Sequence, residues 1–159
     1  MIRGMVATCD WVARATMLVM MVLVVVEIVC RTLFGVSLQL SDELGGYLLV
    51  TIAFLSLPVT QEAGAFHRVT FLHDRLPPRG RAALTMVLEL MSLLFLLVVL
   101  WQLWRLEIGS WVRADQSDTL LAMPLWAPRL PMVLGIAALS ITIGRGVVLA
   151  WRDCRTPAG

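Results

Sequence analysis

Four long apolar runs, joined by segments that carry arginine very unequally, constrain this chain more than any other feature. The runs cover residues 12–29, 44–60, 82–104 and 130–151. Each comes near the roughly 20 residues that a helix needs to cross the hydrocarbon layer of a bilayer. Hydrocarbon offers backbone amides no hydrogen-bond partner, so spans of this kind must be helices. The expected fold is an all-α integral membrane protein with four transmembrane helices and short interfacial helical segments. One such bundle uses nearly all of the chain, so residues 1–159 read as a single four-helix transmembrane domain.

Composition narrows the function classes. The chain is 59% hydrophobic and only 15% charged, against about 25% charged in a soluble domain. A net charge of +2, with no basic run interleaved with aromatics, argues against nucleic acid. Cys9, Cys30 and Cys154 are odd in number and lack CxxC spacing, so neither a disulfide framework nor a zinc site is expected. Arg3 and Arg14 before the first apolar run imitate a signal peptide. No small-x-small cleavage site follows, and the run reads as a retained first span.

The flanks set an orientation. The N-terminus, the connection 62–81 and the C-terminus hold Arg3, Arg14, Arg68, Arg75, Arg79, Arg81, Arg152 and Arg155. The other two connections hold Arg31, Arg105, Arg113 and Arg129, offset by Asp42, Glu43, Glu107, Asp115 and Asp118. The positive-inside rule then places both termini in the cytoplasm. Trp11 and Trp151 mark the inner interface, and Trp101, Trp104, Trp111 and Trp126 the outer one, since an indole has an apolar body and one polar tip. In the outer corner, Ser41 is placed to cap the second span, with Asp42 and Glu43 favourable at its positive end. Residues 62–81 read as a short interfacial helix that ends at Pro77–Pro78. Pro124, Pro128 and Pro131 argue against a long helix in residues 105–131, which would lie on the outer surface before re-entering.

Ionisable residues inside a span are functional candidates by default. Glu27 lies four residues before Arg31, the favourable order for an ion pair on one helix face, and a proton or cation site is the competing reading. Glu89 and Arg145 each lie about two turns from the cytoplasmic end of their spans, so the topology sets them at similar depth on adjacent antiparallel helices. They can neutralise each other, meet a partner subunit, or form a transport site. Gly135, Gly144 and Gly146 allow a close helix approach nearby.

Enzyme readings find little to stand on. His67 and His73, the two histidines, both lie in a connection, which argues against a haem held between spans. No HExxH, GxSxG, P-loop or CxxC occurs. Neither catalytic residues nor a cofactor or metal site is expected.

The densest cluster of specific residues, RTLFGVSLQLSDELGGY, covers 31–47. It resembles the pattern leading into the second span of the small-permease (Q, DctQ-type) subunit of tripartite ATP-independent periplasmic (TRAP) transporters. Arg31, Phe34, Ser37, Glu43, Leu44 and Tyr47 match in order, while Thr32, Leu40, Asp42 and Gly46 stand where that family usually has Tyr, Trp, Glu and Arg. The resemblance continues through Phe54–Leu55, Arg68–Leu72 and Leu76–Pro77, and again at Pro124, Trp126 and Pro131. The family's histidine before Arg-Val is offset here: His67 directly precedes Arg68.

The resemblance implies a non-catalytic scaffold subunit in a bacterial inner membrane. Its implied partners are a large (M) permease subunit, which carries an organic acid with a sodium gradient, and a periplasmic substrate-binding protein. Arg31, Phe34, Ser37, Asp42, Glu43, Tyr47, Arg68, Glu89, Pro124, Trp126, Pro131 and Arg145 are then the structural or partner-interface candidates. The rival from another class is an autonomous four-span proton-coupled exporter that uses Glu27. A membrane-bound signalling module is a third option, but no cytoplasmic domain accompanies the spans.

Overall fold

The computed structural model describes residues 2–35, 40–64, 78–113 and 126–155, and all of its elements are helices. They are α1 (Ile2–Phe34), α2 (Leu40–Glu62), α3 (Pro78–Arg113) and α4 (Trp126–Arg155). All four are long and apolar enough to cross a membrane. At about 1.5 Å per residue, α1 and α3 reach roughly 50 Å, well beyond a hydrocarbon layer of about 30 Å. Their ends therefore project past it.

Local chemistry explains where the helices start and stop. Gly35 follows α1 with φ 66° and Gly64 follows α2 with φ 65°. Glycine enters this left-handed region at no steric cost, which makes it the usual helix stop. Behind α2 the N–H of Ala63 donates to the Val59 carbonyl and that of Gly64 to the Gln61 carbonyl, each at 3.0 Å. Pro78 opens α3, where its missing N–H would have had no helical acceptor.

All four helices run past the apolar spans read from sequence, and three of these boundaries matter most. α3 continues nine residues past Trp104, to Arg113, because an α-helix satisfies its own backbone in water as well as in lipid. The charges there end the apolar run and not the helix. α4 begins at Trp126, so Pro128 and Pro131 sit within its first two turns, where proline forfeits few helical bonds. Likewise α2 begins at Leu40, which puts Ser41 inside the helix. The interfacial helix expected in 62–81 falls mostly on 65–77, outside the described residues, as do residues 114–125.

The helices form a row in the order α1, α2, α4, α3, with a minor contact between α1 and α4. Among the described residues α3 packs on α4 alone. α4 is the organiser: 44% of its most apolar stretch is buried, against 11% in α2, 6% in α3 and none in α1. Its Ile136, Leu139 and Ile143 form the core with Leu96 of α3, and Phe54 and Leu57 of α2 pack against it together with Leu93, Val99, Leu100 and Leu103.

The tightest crossing joins α2 to α4. Pro58, fully buried inside α2, has no N–H to give the Phe54 carbonyl one turn earlier. Gly135 of α4 fills that place: a Cβ there would lie 2.4 Å from the Phe54 carbonyl oxygen and 2.6 Å from its carbon. Only a residue without a side chain permits this backbone approach. Ser140 and Thr142 turn their hydroxyls inward and donate to the carbonyls of Ile136 and Leu139 at 2.8 Å, so neither is buried unsatisfied.

Candidate functional site

Polar groups cluster at three places along the row. The first is the turn end of the α3–α4 hairpin. Glu107 and Ser110, one turn apart on α3, are both buried, Ser110 completely. Arg129 of α4 donates from Nη1 to the Ser110 hydroxyl, which in turn donates to the Leu106 carbonyl at 3.0 Å. The Arg129 charge also attracts the Glu107 carboxylate, whose Oε2 is buried without a hydrogen-bond partner. Next to this cluster the rings of Trp111 and Trp126 meet edge to face at 5.1 Å and 62°. Such pairs contribute about 0.5–1.5 kcal/mol beyond the area they bury. Arg105 lies 5.0 Å from the ring centre of Trp101, and the Arg113 guanidinium folds back over Gly109. This end of the hairpin is thus held by a hydroxyl and an aromatic contact within two turns, with the Arg129 charge near the Glu107 carboxylate.

The second place is the corner between α1 and α2. Arg31 lies in the last turn of α1, a favourable position for a cation at the negative end of the helix dipole. Arg31 and Phe34 are exposed. On α2 the Tyr47 hydroxyl donates to Glu43 Oε1 at 2.9 Å across one helical turn. Asp42 is a residue of the first turn of α2. Glu27 is half-buried on α1 and does not stand isolated.

The third place is near the opposite end of α3 and α4. The Glu89 carboxylate lies over Gly146, where an added Cβ would come within 3.0 Å of Oε2. Glu89 and Arg145 are therefore at similar depth on adjacent helices. The two helices run antiparallel, since Glu89 meets Gly146 at one end and Ser110 meets Arg129 at the other. Arg145, next to Gly146, is exposed. At this end of the row Arg3 of α1 lies 3.9 Å from Glu62 of α2, and Arg14 pairs with Asp10 at 2.7 Å along α1. Both pairs are largely exposed and contribute little to stability.

Of the residues singled out by sequence, Ser37, Arg68 and Pro124 lie outside the described residues, with His67 and His73. Trp126 is brought against Trp111, Tyr47 against Glu43, and Glu89 against Gly146; Pro131 sits half-buried in the second turn of α4. The sequence reading did not single out the Glu107–Ser110–Arg129 cluster. Its signal was present, since Glu107 and Ser110 are three residues apart on what proved to be a continuous helix. Among the described residues no three of His, Cys, Asp and Glu gather as metal ligands, and Cys9 and Cys30 are free thiols. A shallow groove on α1, lined by Leu18, Val19, Val22 and Leu23, presents only alkyl groups and suits lipid tails. The arrangement has the means to fix helices against each other and to present charge at chosen depths.

Comparison with known proteins fits this geometry. The family model for "Tripartite ATP-independent periplasmic transporters, DctQ component" matches residues 20–153. A curated protein of Haemophilus influenzae, named "Putative TRAP transporter small permease protein", is 28% identical over 94 residues. That match covers 59% of this chain and 54% of the relative, so the chain spans about half the length of the curated relative it matches.

Proposed function

This chain belongs to the DctQ component family of tripartite ATP-independent periplasmic transporters, and from that premise we propose that it is the fixed membrane scaffold of such a transporter. The observation that carries the reading is the family match over residues 20–153, which takes in the second half of α1, all of α2 and α3 and all but the last two residues of α4. In the proposed complex a large permease subunit moves an organic acid across a bacterial inner membrane with a sodium gradient. A periplasmic binding protein delivers the acid. The small subunit contributes no chemistry and holds part of the large one still.

Three features support this division of labour. Polar contacts between the described helices, such as that of Arg129 with Ser110, fasten them together. α4 is tied at three levels, near its start to Ser110, at Gly135 to α2, and at Gly146 to Glu89. The row leaves broad apolar faces on α1, α3 and α4, of which Met17, Phe95 and Leu134 are examples. In the proposed orientation both termini are cytoplasmic, and the Glu107–Arg129 end with its tryptophans faces the periplasm, where the loaded binding protein would dock. The exporter reading built on Glu27 is not favoured, because the family match is to one component of a multi-part transporter.

The test is purification of the tagged chain from its native membrane in mild detergent, with mass spectrometry of what accompanies it. A stoichiometric large multi-span permease is expected. Recovery of the small subunit alone or self-associated, with transport activity in liposomes that Glu27→Gln removes, would overturn the proposal.

A further inference from the structure

We propose that the face of α4 around Arg145, which no other described helix covers, is where a membrane helix of the large permease subunit docks, and that this helix carries a carboxylate at the depth of Arg145. The inference rests on the scaffold reading above and deepens it by naming the contact.

Leu134, Ile141, Arg145, Val148 and Leu149 are all exposed on α4. Their spacings of seven, four, three and one residues put them along one stripe of the helix. The stripe is apolar except for a single guanidinium. Arg145 lies within the apolar stretch Pro128–Leu149 and six residues before Trp151, which at helical rise is about 9 Å along the axis from that interfacial indole. A guanidinium keeps its proton, so it cannot escape hydrocarbon by becoming neutral.

Geometry decides between the ways in which that charge can be met. Reaching the nearer membrane surface is hindered, because every Cα–Cβ bond tilts toward the N-terminus of its helix. For Arg145 that direction leads away from the closer surface and toward the membrane centre. Glu89 lies over Gly146, on the side of α4 that faces α3, while Arg145 opens to a face that none of the other described helices covers. The same face offers a notch. Gly144, three residues after Ile141 and four before Val148, would meet nothing within 4 Å if given a Cβ. A neighbouring helix can approach closely over such a position. An apolar stripe with one notch and one buried-depth cation is complementary to an apolar helix that carries one carboxylate.

The experiment uses the whole transporter, co-expressed and purified through a tag on this chain. Arg145→Met and Arg145→Lys are compared with the unaltered chain, and a photo-crosslinking residue is placed in turn at Ile141 and Val148. Arg145→Met is expected to lower the recovered large subunit at least about tenfold, as loss of one partner from a buried charge pair does. Arg145→Lys should keep most of it, and both crosslinkers should capture the large subunit. An unchanged amount of the variant chain with unchanged helical circular dichroism shows that the effect is one of docking. Full recovery with Arg145→Met overturns the inference, as do crosslinks that reach only lipid or a second copy of this chain. Failure of the unaltered chain to recover any large permease would overturn the scaffold reading itself, which separates the two failures.

Discussion

Replacing Gly135 by alanine tests the crossing on which the row depends. The added Cβ would sit 2.4 Å from the Phe54 carbonyl oxygen and 2.9 Å from the Phe54 Cβ. Two of its three nearest atoms are backbone, so no side-chain rotation relieves the clash. The helices must separate by about 1 Å to restore ordinary contact, and a gap of that size forfeits roughly a quarter to a half of the dispersion energy across the interface. Overpacking of this kind typically costs about 1–3 kcal/mol. Because the nearest atoms are backbone the cost falls toward the upper end of that range, and alanine returns about 1 kcal/mol through its better helix propensity, which leaves a net loss of about 2 kcal/mol. The control is Gly46→Ala on α2, where a Cβ meets nothing within 4 Å. There the propensity gain stands alone, so the control should be level with the parent or slightly more stable. Thermal unfolding of the purified chain in one detergent, followed by circular dichroism, should give the order Gly46→Ala, parent, Gly135→Ala. Equal midpoints for Gly135→Ala and parent would refute the claim that α2 and α4 touch through backbone.

The polar cluster between α3 and α4 gives a second prediction: Arg129→Met should destabilise the chain more than the pair Arg129→Met with Glu107→Gln does. The single change strands a buried carboxylate, whereas the double one removes the charge with its partner; a coupling of about 1–3 kcal/mol is expected from a double-mutant cycle in detergent unfolding. Trp111→Ala should lose roughly 1 kcal/mol with the edge contact to Trp126, read in the same unfolding assay. By contrast Arg3→Ala should leave the unfolding midpoint unchanged, because its 3.9 Å contact with Glu62 is long and exposed. The proposed orientation predicts that reporters fused to either terminus are active on the cytoplasmic side only, and a periplasmic signal from either one would reverse it.

What could be read from sequence and what could not divides along physical lines. The four helices were legible because lipid permits little else, whereas their stops at Gly35 and Gly64 lie past the ends of the apolar runs and were not singled out, though glycine's access to positive φ explains them. Helix length was misjudged at Trp104, since the apolar run ends there while the backbone has no reason to uncoil until after Arg113. The helix order in the row was hidden for a deeper reason. A span apolar on every side carries no stripe to show which side meets protein, so nothing in residues 82–104 says that α3 skips α2 to pack on α4. The Pro58–Phe54–Gly135 crossing was hidden too, because it depends on the register between two helices. Glu89 and Arg145 illustrate both cases: counting turns from the span ends put them at the same depth, but only the packing of Glu89 over Gly146 shows that Arg145 opens elsewhere.

The row itself bears on the proposed function. Apolar side chains gain little by leaving lipid for protein, so a membrane chain has no general drive to close into a bundle. Its arrangement must come from specific contacts, and here these are concentrated on α4. Ser110 holds it near its first turn, Phe54 at Gly135, and Glu89 at Gly146, alternating between α3 and α2 along its length. For α4 to slide along α3, the Ser110–Arg129 bond and the seat of Glu89 on Gly146 would both have to break, at opposite ends of the pair. For it to tilt from α2, the Gly135 crossing would have to open. Such a helix keeps its depth and angle while leaving one side uncovered by the other described helices, and a carboxylate on a neighbouring subunit would meet Arg145 at a fixed height. A moving subunit needs that kind of reference surface beside it, and α4 is where this chain can supply one.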